Sequence, residues 1–277
     1  MPARDVGVML HGQKLFDDRA EYAVSLSNGE INGDGNLNDQ YDIDARVAVQ
    51  PFNSPGIWEG LRLLMFGVSG SFGNENETVS PQTLKTSAFV PWLQYNSTVH
   101  AEGIRTRITP EVSYFYQGLG MAAQYVRMEQ ELRPNVSGPT YRFLTDVPTE
   151  GYYVLATYLL TGEQRTTYSA MVDPLLPFDP RRPLQAPGAW ELVAQVSRLN
   201  VDPEIFVPGK ANLADPTKYS HAATEMTLGF NWYFNKLVRM QFNWEHSWFD
   251  DPVLLGTGPG GRLKHDDVLM TRFQIIF

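Results

Sequence analysis

The chain of 277 residues contains no cysteine, which excludes disulfides, thiolate nucleophiles and cysteine-ligated zinc together. It has no stretch approaching the roughly 18 apolar residues that a membrane-spanning helix needs, although 43% of its residues are hydrophobic. Positive charge is scarce: 22 lysines and arginines stand against 31 aspartates and glutamates, for a formal net charge of −9. Without a basic stripe to neutralise phosphates, nucleic acid is not a partner. The histidines, at positions 11, 100, 221, 246 and 265, never fall at the H-x-x-x-H spacing of a metal-binding helix, and no G-x-S-x-G elbow or phosphate-cradling glycine loop is present. These absences point away from an enzyme and call for no cofactor. The opening residues, Met1-Pro-Ala-Arg-Asp-Val-Gly7, lack the basic and apolar regions of a secretion signal, so the expectation is a numbered chain that begins inside a longer precursor.

What is present is alternation. Runs of about ten residues with period-two patterning, punctuated by Gly, Asn, Asp and Pro, extend from end to end, and no helix is predicted. The predicted strands are 5–12, 19–27, 40–50, 60–72, 85–96, 103–116, 119–131, 148–162, 188–199, 221–234, 236–248 and 265–277. That is about twelve, each near the 9–11 residues that cross a bilayer at a tilt. The connections at 51–60, 117–119 and 235–236 are comparatively short, whereas those at 29–39, 132–149, 162–187, 200–220 and 250–264 are long and polar. Short turns on one rim with long loops on the other is the pattern of outer-membrane barrels. The mean hydropathy of −0.28 fits a barrel wall, where lipid-facing and water-facing residues alternate. The final segment, Leu269 to the terminal Phe277, alternates in the same way and ends as the last strand of such a barrel ends.

Parity gives the strands two faces. Met240, Phe242, Trp244, His246 and Trp248 share one face, opposite Arg239, Gln241, Asn243, Glu245 and Ser247; Met226, Leu228, Phe230, Trp232 and Phe234 likewise oppose Glu225, Thr227, Gly229, Asn231 and Tyr233. The apolar set suits lipid and the polar set water, although a β-sandwich core would give the same alternation. On the strand near 103–116, Arg105 and Arg107 point the same way as Thr109, Glu111 and Ser113, about 7 Å apart along the chain. A row of guanidinium forks inside a pore can hand an anion from one to the next; it can equally pair with carboxylates and only set the lumen charge. The loop Asn28-Gly-Glu30-Ile-Asn32-Gly33, with Asp39 following, loosely echoes a calcium loop but lacks its leading Asp, and a solvated hairpin loop is the favoured reading.

Two blocks carry a family resemblance. Gly151-Tyr-Tyr-Val-Leu-Ala-Thr-Tyr-Leu-Leu-Thr-Gly-Glu-Gln-Arg165 and Gly188-Ala-Trp-Glu-Leu-Val-Ala-Gln-Val-Ser-Arg-Leu-Asn200 resemble consecutive strands of the phosphate-selective porin O/P family of Gram-negative outer membranes. Weaker blocks follow in order: Ala3 to Gly12, Tyr22 to Gly29, Ala45-Arg46 ahead of Pro51-Phe52, Thr227 to Tyr233, and Arg272 to Phe277. The resemblance implies an all-β, antiparallel transmembrane β-barrel, sixteen-stranded in the family, of which this chain would be one domain lacking about four N-terminal strands. It implies a homotrimeric porin in the bacterial outer membrane, in contact with lipid and lipopolysaccharide, passing small hydrophilic solutes and anions such as phosphate. Phe277 would be the signal read by the barrel-assembly machinery. The residues expected to line the pore are Arg46, Arg105, Arg107 and Arg272. At Gln195 the family pattern commonly has Arg, which removes one lumen charge. The competing class is a soluble or surface-attached β-sandwich whose loops bind a ligand such as glycan.

Overall fold

The structure, a computed structural model, describes residues 6–29, 40–76, 81–134, 145–207, 213–255 and 261–276. Its strands are β1 (Gly7–Lys14), β2 (Ala20–Ser27), β3 (Asp42–Val49), β4 (Met65–Asn76), β5 (Leu84–Lys85), β6 (Pro91–Leu93) and β7 (Val99–Tyr116), followed by β8 (Leu119–Pro134), β9 (Thr145–Leu159), β10 (Ala189–Val201), β11 (Ala222–Asn235), β12 (Val238–Leu254) and β13 (Arg262–Ile275). All except β5 and β6 join one antiparallel sheet of 11 strands in chain order, with β1 and β13 at its open edges. A sandwich needs two sheets packed face to face. The second sheet among the described residues is only the two-stranded β5–β6 hairpin, so the sandwich reading is set aside.

The hairpin also corrects the strand list. The alternating run 85–96 is no wall strand: Trp92 and Leu93, adjacent in sequence, are both buried, which a strand with one solvated face does not allow. Together with Tyr95 they enter an apolar cluster with Val99, Leu132, Val147, Val201, Ile205 and Phe249, so the segment folds over the sheet rather than into it.

A meander of antiparallel strands places its connections alternately at two rims. One rim carries 15–19, 50–64, 117–118, 160–188 and 236–237; the other carries 28–41, 77–98, 135–144, 202–221 and 255–261. The expected division into short and long rims therefore holds only in part: the long connection 160–188 lies on the rim of the tight turns, and 50–64 on that rim is longer than 255–261 on the other. Two of the tight turns there use left-handed backbone: Phe16 and Asp17 have φ 53° and 62° in the turn Leu15–Asp18, and Gln117 has φ 51° between β7 and β8.

The two faces of the sheet invert the usual arrangement of a soluble protein. The covered face buries Glu75, Arg105, Thr109, Thr157, Glu191, Thr227, Asn231 and Glu245, whereas the open face exposes Val24, Leu26, Ile43, Val47, Phe66, Val68, Phe72, Ile104, Ile108, Val154, Leu192 and Leu228. Water on the open face would leave a continuous apolar surface far larger than monomeric soluble proteins carry. Hydrocarbon satisfies it, and the alternation of the strands then follows from having lipid on one side and polar groups on the other. Aromatic rings mark two levels on the open face. Near the short-turn rim Trp190 and Trp232 stack at 4.9 Å, and both indole N–H groups donate to the Pro187 carbonyl, at 3.2 and 2.8 Å. Trp232 lies level with Met240 on β12, and Trp248 stands farther along the same strand and face. From Met240 to Trp248 is about 27 Å along the chain, or about 20 Å across a membrane at the usual strand tilt, close to the apolar band of a barrel.

Candidate functional site on the covered face

All four predicted arginines lie on the covered face, but they do not share one environment. Arg105 is 6% exposed and locked between two carboxylates: Nη2 donates to Asp42 Oδ2 at 2.7 Å and Nη1 contacts Glu75 Oε1, while Nη2 also reaches the Gly29 carbonyl at 3.2 Å. Gly73 makes room for this cluster, since a Cβ there would stand 1.7 Å from Asp42 Oδ1. Arg46 is likewise bracketed, donating to Glu111 Oε1 through Nε at 2.9 Å and Nη2 at 2.6 Å, and contacting Glu21 through Nη1. These three side chains are partly open to solvent, so the pairing is screened in a way the Arg105 cluster is not.

Arg107 and Arg272 differ from both. Arg107 stands opposite Ser71 on β4 and Met128 on β8. Its Nη1 is buried without a hydrogen-bond partner, and so is the Ser71 hydroxyl. No carboxylate among the described residues forms an ion pair with it; Asp42, Glu75 and Asp44 act on it only through their longer-range field, against that of Arg105. Arg272 lies opposite Gln241, exposed on the edge strand and in no ion pair among the described residues. Parity therefore located the row of cations, while the cross-strand register decided which of them are neutralised.

Three further residues, Arg239, Arg165 and Glu191, lie in strands and motifs that the sequence singled out but were not among the expected pore-lining residues. Arg239 donates to Gln274 Oε1 at 2.9 Å and lies 5.9 Å from the Tyr233 ring centre, with no carboxylate partner among the described residues. Arg165 and Glu191 form a buried ion pair at 2.7 Å, side chains 5% and 1% exposed. That pair joins the two blocks that carry the family resemblance. Tyr233 accepts from Arg165 Nη2 at 3.0 Å and donates to Glu191 Oε2 at 2.7 Å; Asn231 Nδ2 donates to the same oxygen at 2.7 Å. Beside it the Thr161 hydroxyl donates to Glu163, whose other oxygen accepts from the Leu175 N–H at 3.1 Å. Arg165 also stacks over Tyr168 at 5.0 Å. The long connection 160–188 is thus fastened to the covered face at the short-turn rim. Gly120 leaves the space it occupies: a Cβ there would meet Tyr168 Oη at 2.7 Å and Arg165 Cδ at 2.9 Å. The signal in the sequence was the pair of motifs itself, which need their Arg and Glu to meet across the loop.

Gln195 also lies on the covered face, level with Leu155 and Thr227, so the missing arginine is a charge missing from this surface. The loop residues Glu30, Asn32, Gly33 and Asp39 and the terminal Phe277 lie outside the described residues. No group of three His, Asp or Glu side chains gathers at one point among the described residues.

Comparison with curated protein sequences returned no match. A profile of the family described as phosphate-selective porin O and P matches residues 7–251, which takes in ten of the eleven wall strands apart from the last residues of β12 and leaves β13 outside the matched span. The chain belongs to the phosphate-selective porin O and P family, a family of channels rather than enzymes.

Proposed function

We propose that this chain forms the wall of an outer-membrane channel through which small hydrophilic solutes diffuse, with a preference for anions such as phosphate set by arginines that lack a carboxylate partner. The observation that carries the proposal is the inverted sheet: polar and charged groups line the covered face, and apolar groups face outward. Arg107, Arg239 and Arg272 are the guiding cations. Arg105 and Arg46 chiefly shape the wall, because each is already answered by two carboxylates.

The proposal requires that both open edges be paired, since each backbone group left unsatisfied in hydrocarbon costs several kcal/mol. The sixteen strands implied by the family resemblance exceed the eleven of this sheet, and the remainder would join β1 and β13. In that assembly the open face meets membrane lipid and, toward the long-loop rim, lipopolysaccharide; the homotrimer and recognition of Phe277 by the assembly machinery belong to the same reading.

The test is a reversal-potential measurement on the protein in planar bilayers under a salt gradient. Anion preference is expected, with Arg107→Gln lowering the anion-to-cation permeability ratio severalfold. Cation preference that is unchanged by neutralising Arg107, Arg239 and Arg272 together would remove the anion part of the proposal; absence of conductance from a closed, correctly inserted barrel would remove the channel itself.

A further inference from the structure

Away from the arginines, the covered face of β11, β12 and β13 gathers three carboxylates that no basic side chain answers. Glu225 lies opposite Ser247, and Ser247 in turn lies opposite Asp266 on the next strand. Glu245 precedes Ser247 by two residues, on the same face and diagonal to Glu225. Such diagonal neighbours stand about 7 Å apart at the backbone, within reach of two glutamate side chains. The tip of the β5–β6 hairpin closes over them. The Ser87 hydroxyl donates to Glu225 Oε1 at 2.9 Å, the Ser247 hydroxyl donates to Glu225 Oε2 at 3.0 Å, and the Thr86 hydroxyl reaches Asp266 Oδ2 at 3.5 Å.

Glu245 is the telling member. It is 5% exposed, with Ser87, Asn243 and Glu225 around its carboxylate, and its Oε2 is buried with no hydrogen-bond partner. A buried carboxylate beside another must acquire a proton or a cation. A proton neutralises one of the two carboxylates, whereas a divalent cation neutralises both. The hydroxyl protons of Ser87 and Ser247 are already directed at Glu225, so what these groups still offer is lone pairs. The donor set is therefore two carboxylates and two hydroxyls, all oxygen, and hard cations are the ions that such a set takes.

We propose that Glu225 and Glu245, with Ser87 and Ser247, bind a divalent hard cation such as calcium, which ties the β5–β6 hairpin to the sheet. Two carboxylate charges match one divalent ion. With fewer than three carboxylates converging on one point, the site should be weak, with a Kd on the order of 10⁻⁴–10⁻³ M.

The experiment is thermal unfolding of the full chain in detergent against calcium chloride, starting from chelator-treated protein, with heat-modifiable electrophoretic mobility to verify folding. The midpoint is expected to rise with calcium and to saturate in the millimolar range. Glu225→Gln and Glu245→Gln should each abolish the saturable rise, and Ser87→Ala, which leaves both carboxylates in place, should weaken it about tenfold. A rise that persists in both glutamine variants would place the cation elsewhere, for instance on the loop bearing Glu30 and Asp39, and overturn the proposal. So would a wild type whose midpoint does not respond to calcium, since the carboxylate pair would then be held by a shared proton instead.

Discussion

Two quarters of one covered face handle charge in opposite ways. Around β3, β4 and β7, Arg105 sits between Asp42 and Glu75, and Arg46 between Glu21 and Glu111. Around β11 to β13, Glu225 has hydroxyl partners, and among the described residues neither it nor Glu245 has a cation, while Arg239 and Arg272 on the same strands have no carboxylate. Apart from Arg107 on β7, the first quarter is locally neutralised and built for rigidity; the second keeps separated charges of both signs, and it is at these and at Arg107 that a passing ion can be felt. The net charge of −9 therefore says little about the potential inside. Paired charges cancel at short range, and the field is set by the members left over.

The most damaging way to break this contrast is to unpair the rigid quarter. Arg105→Ala leaves Asp42 and Glu75 buried beside each other without a counter-charge, and it is expected to cost about 3–5 kcal/mol. The check is the midpoint of urea unfolding in micelles, followed by tryptophan fluorescence. Gly73→Ala attacks the same cluster without touching a charge. Its Cβ would stand 1.7 Å from Asp42 Oδ1, so Asp42 must move away from Arg105, at a cost of about 1–3 kcal/mol. If Gly73→Ala is neutral, the cluster is looser than its geometry indicates.

In the other quarter the sign reverses. In the presence of a chelator, Glu245→Gln removes a buried carboxylate that faces a second one and has an unpartnered oxygen. A gain of about 1 kcal/mol is expected, the usual size of relieving one unsatisfied buried polar group. The same unfolding measurement decides it, and a loss of stability would mean that Glu245 has a counter-charge after all.

How much of this was legible beforehand depends on whether the physics is local. The faces of 226–234 and 239–248 followed from period two alone, because a strand has only two sides. The segment 85–96 satisfied the same pattern and misled. Pro91 inside the run was the contrary signal, since proline cannot donate to a ladder; here it begins β6, the second strand of the hairpin. That 160–188 shares a rim with 117–118 and 236–237 followed from parity with either strand count, whereas its place relative to 15–19 and 50–64 needed the correct count, which the false strand at 85–96 had altered by one. Neutralisation of Arg46 and Arg105 could not be read at all. Their partners Glu21, Asp42, Glu75 and Glu111 come from β2, β3, β4 and β7, in each case a strand other than the arginine's own, brought together only by register. Conversely, the Arg165–Glu191 pair was present in the sequence as two motifs whose meeting could not be seen until the loop between them closed.

The smallest expected effect sharpens the contrast most finely. Arg46→Gln removes a cation paired with two carboxylates, as Arg105→Ala does, but the side chains of Arg46, Glu21 and Glu111 are 36%, 38% and 22% exposed. Water can solvate the carboxylates left behind, so the loss should be about 0–1 kcal/mol, the range of exposed ion pairs. It should shrink further in high salt, which screens exposed charges within a few ångströms and buried ones much less. The Arg105→Ala loss should barely respond to salt. Measuring both variants at low and high ionic strength therefore separates burial from charge count as the cause of stability on this face. If the Arg46→Gln loss equals that of Arg105→Ala and is equally indifferent to salt, burial is not what distinguishes the two arginines.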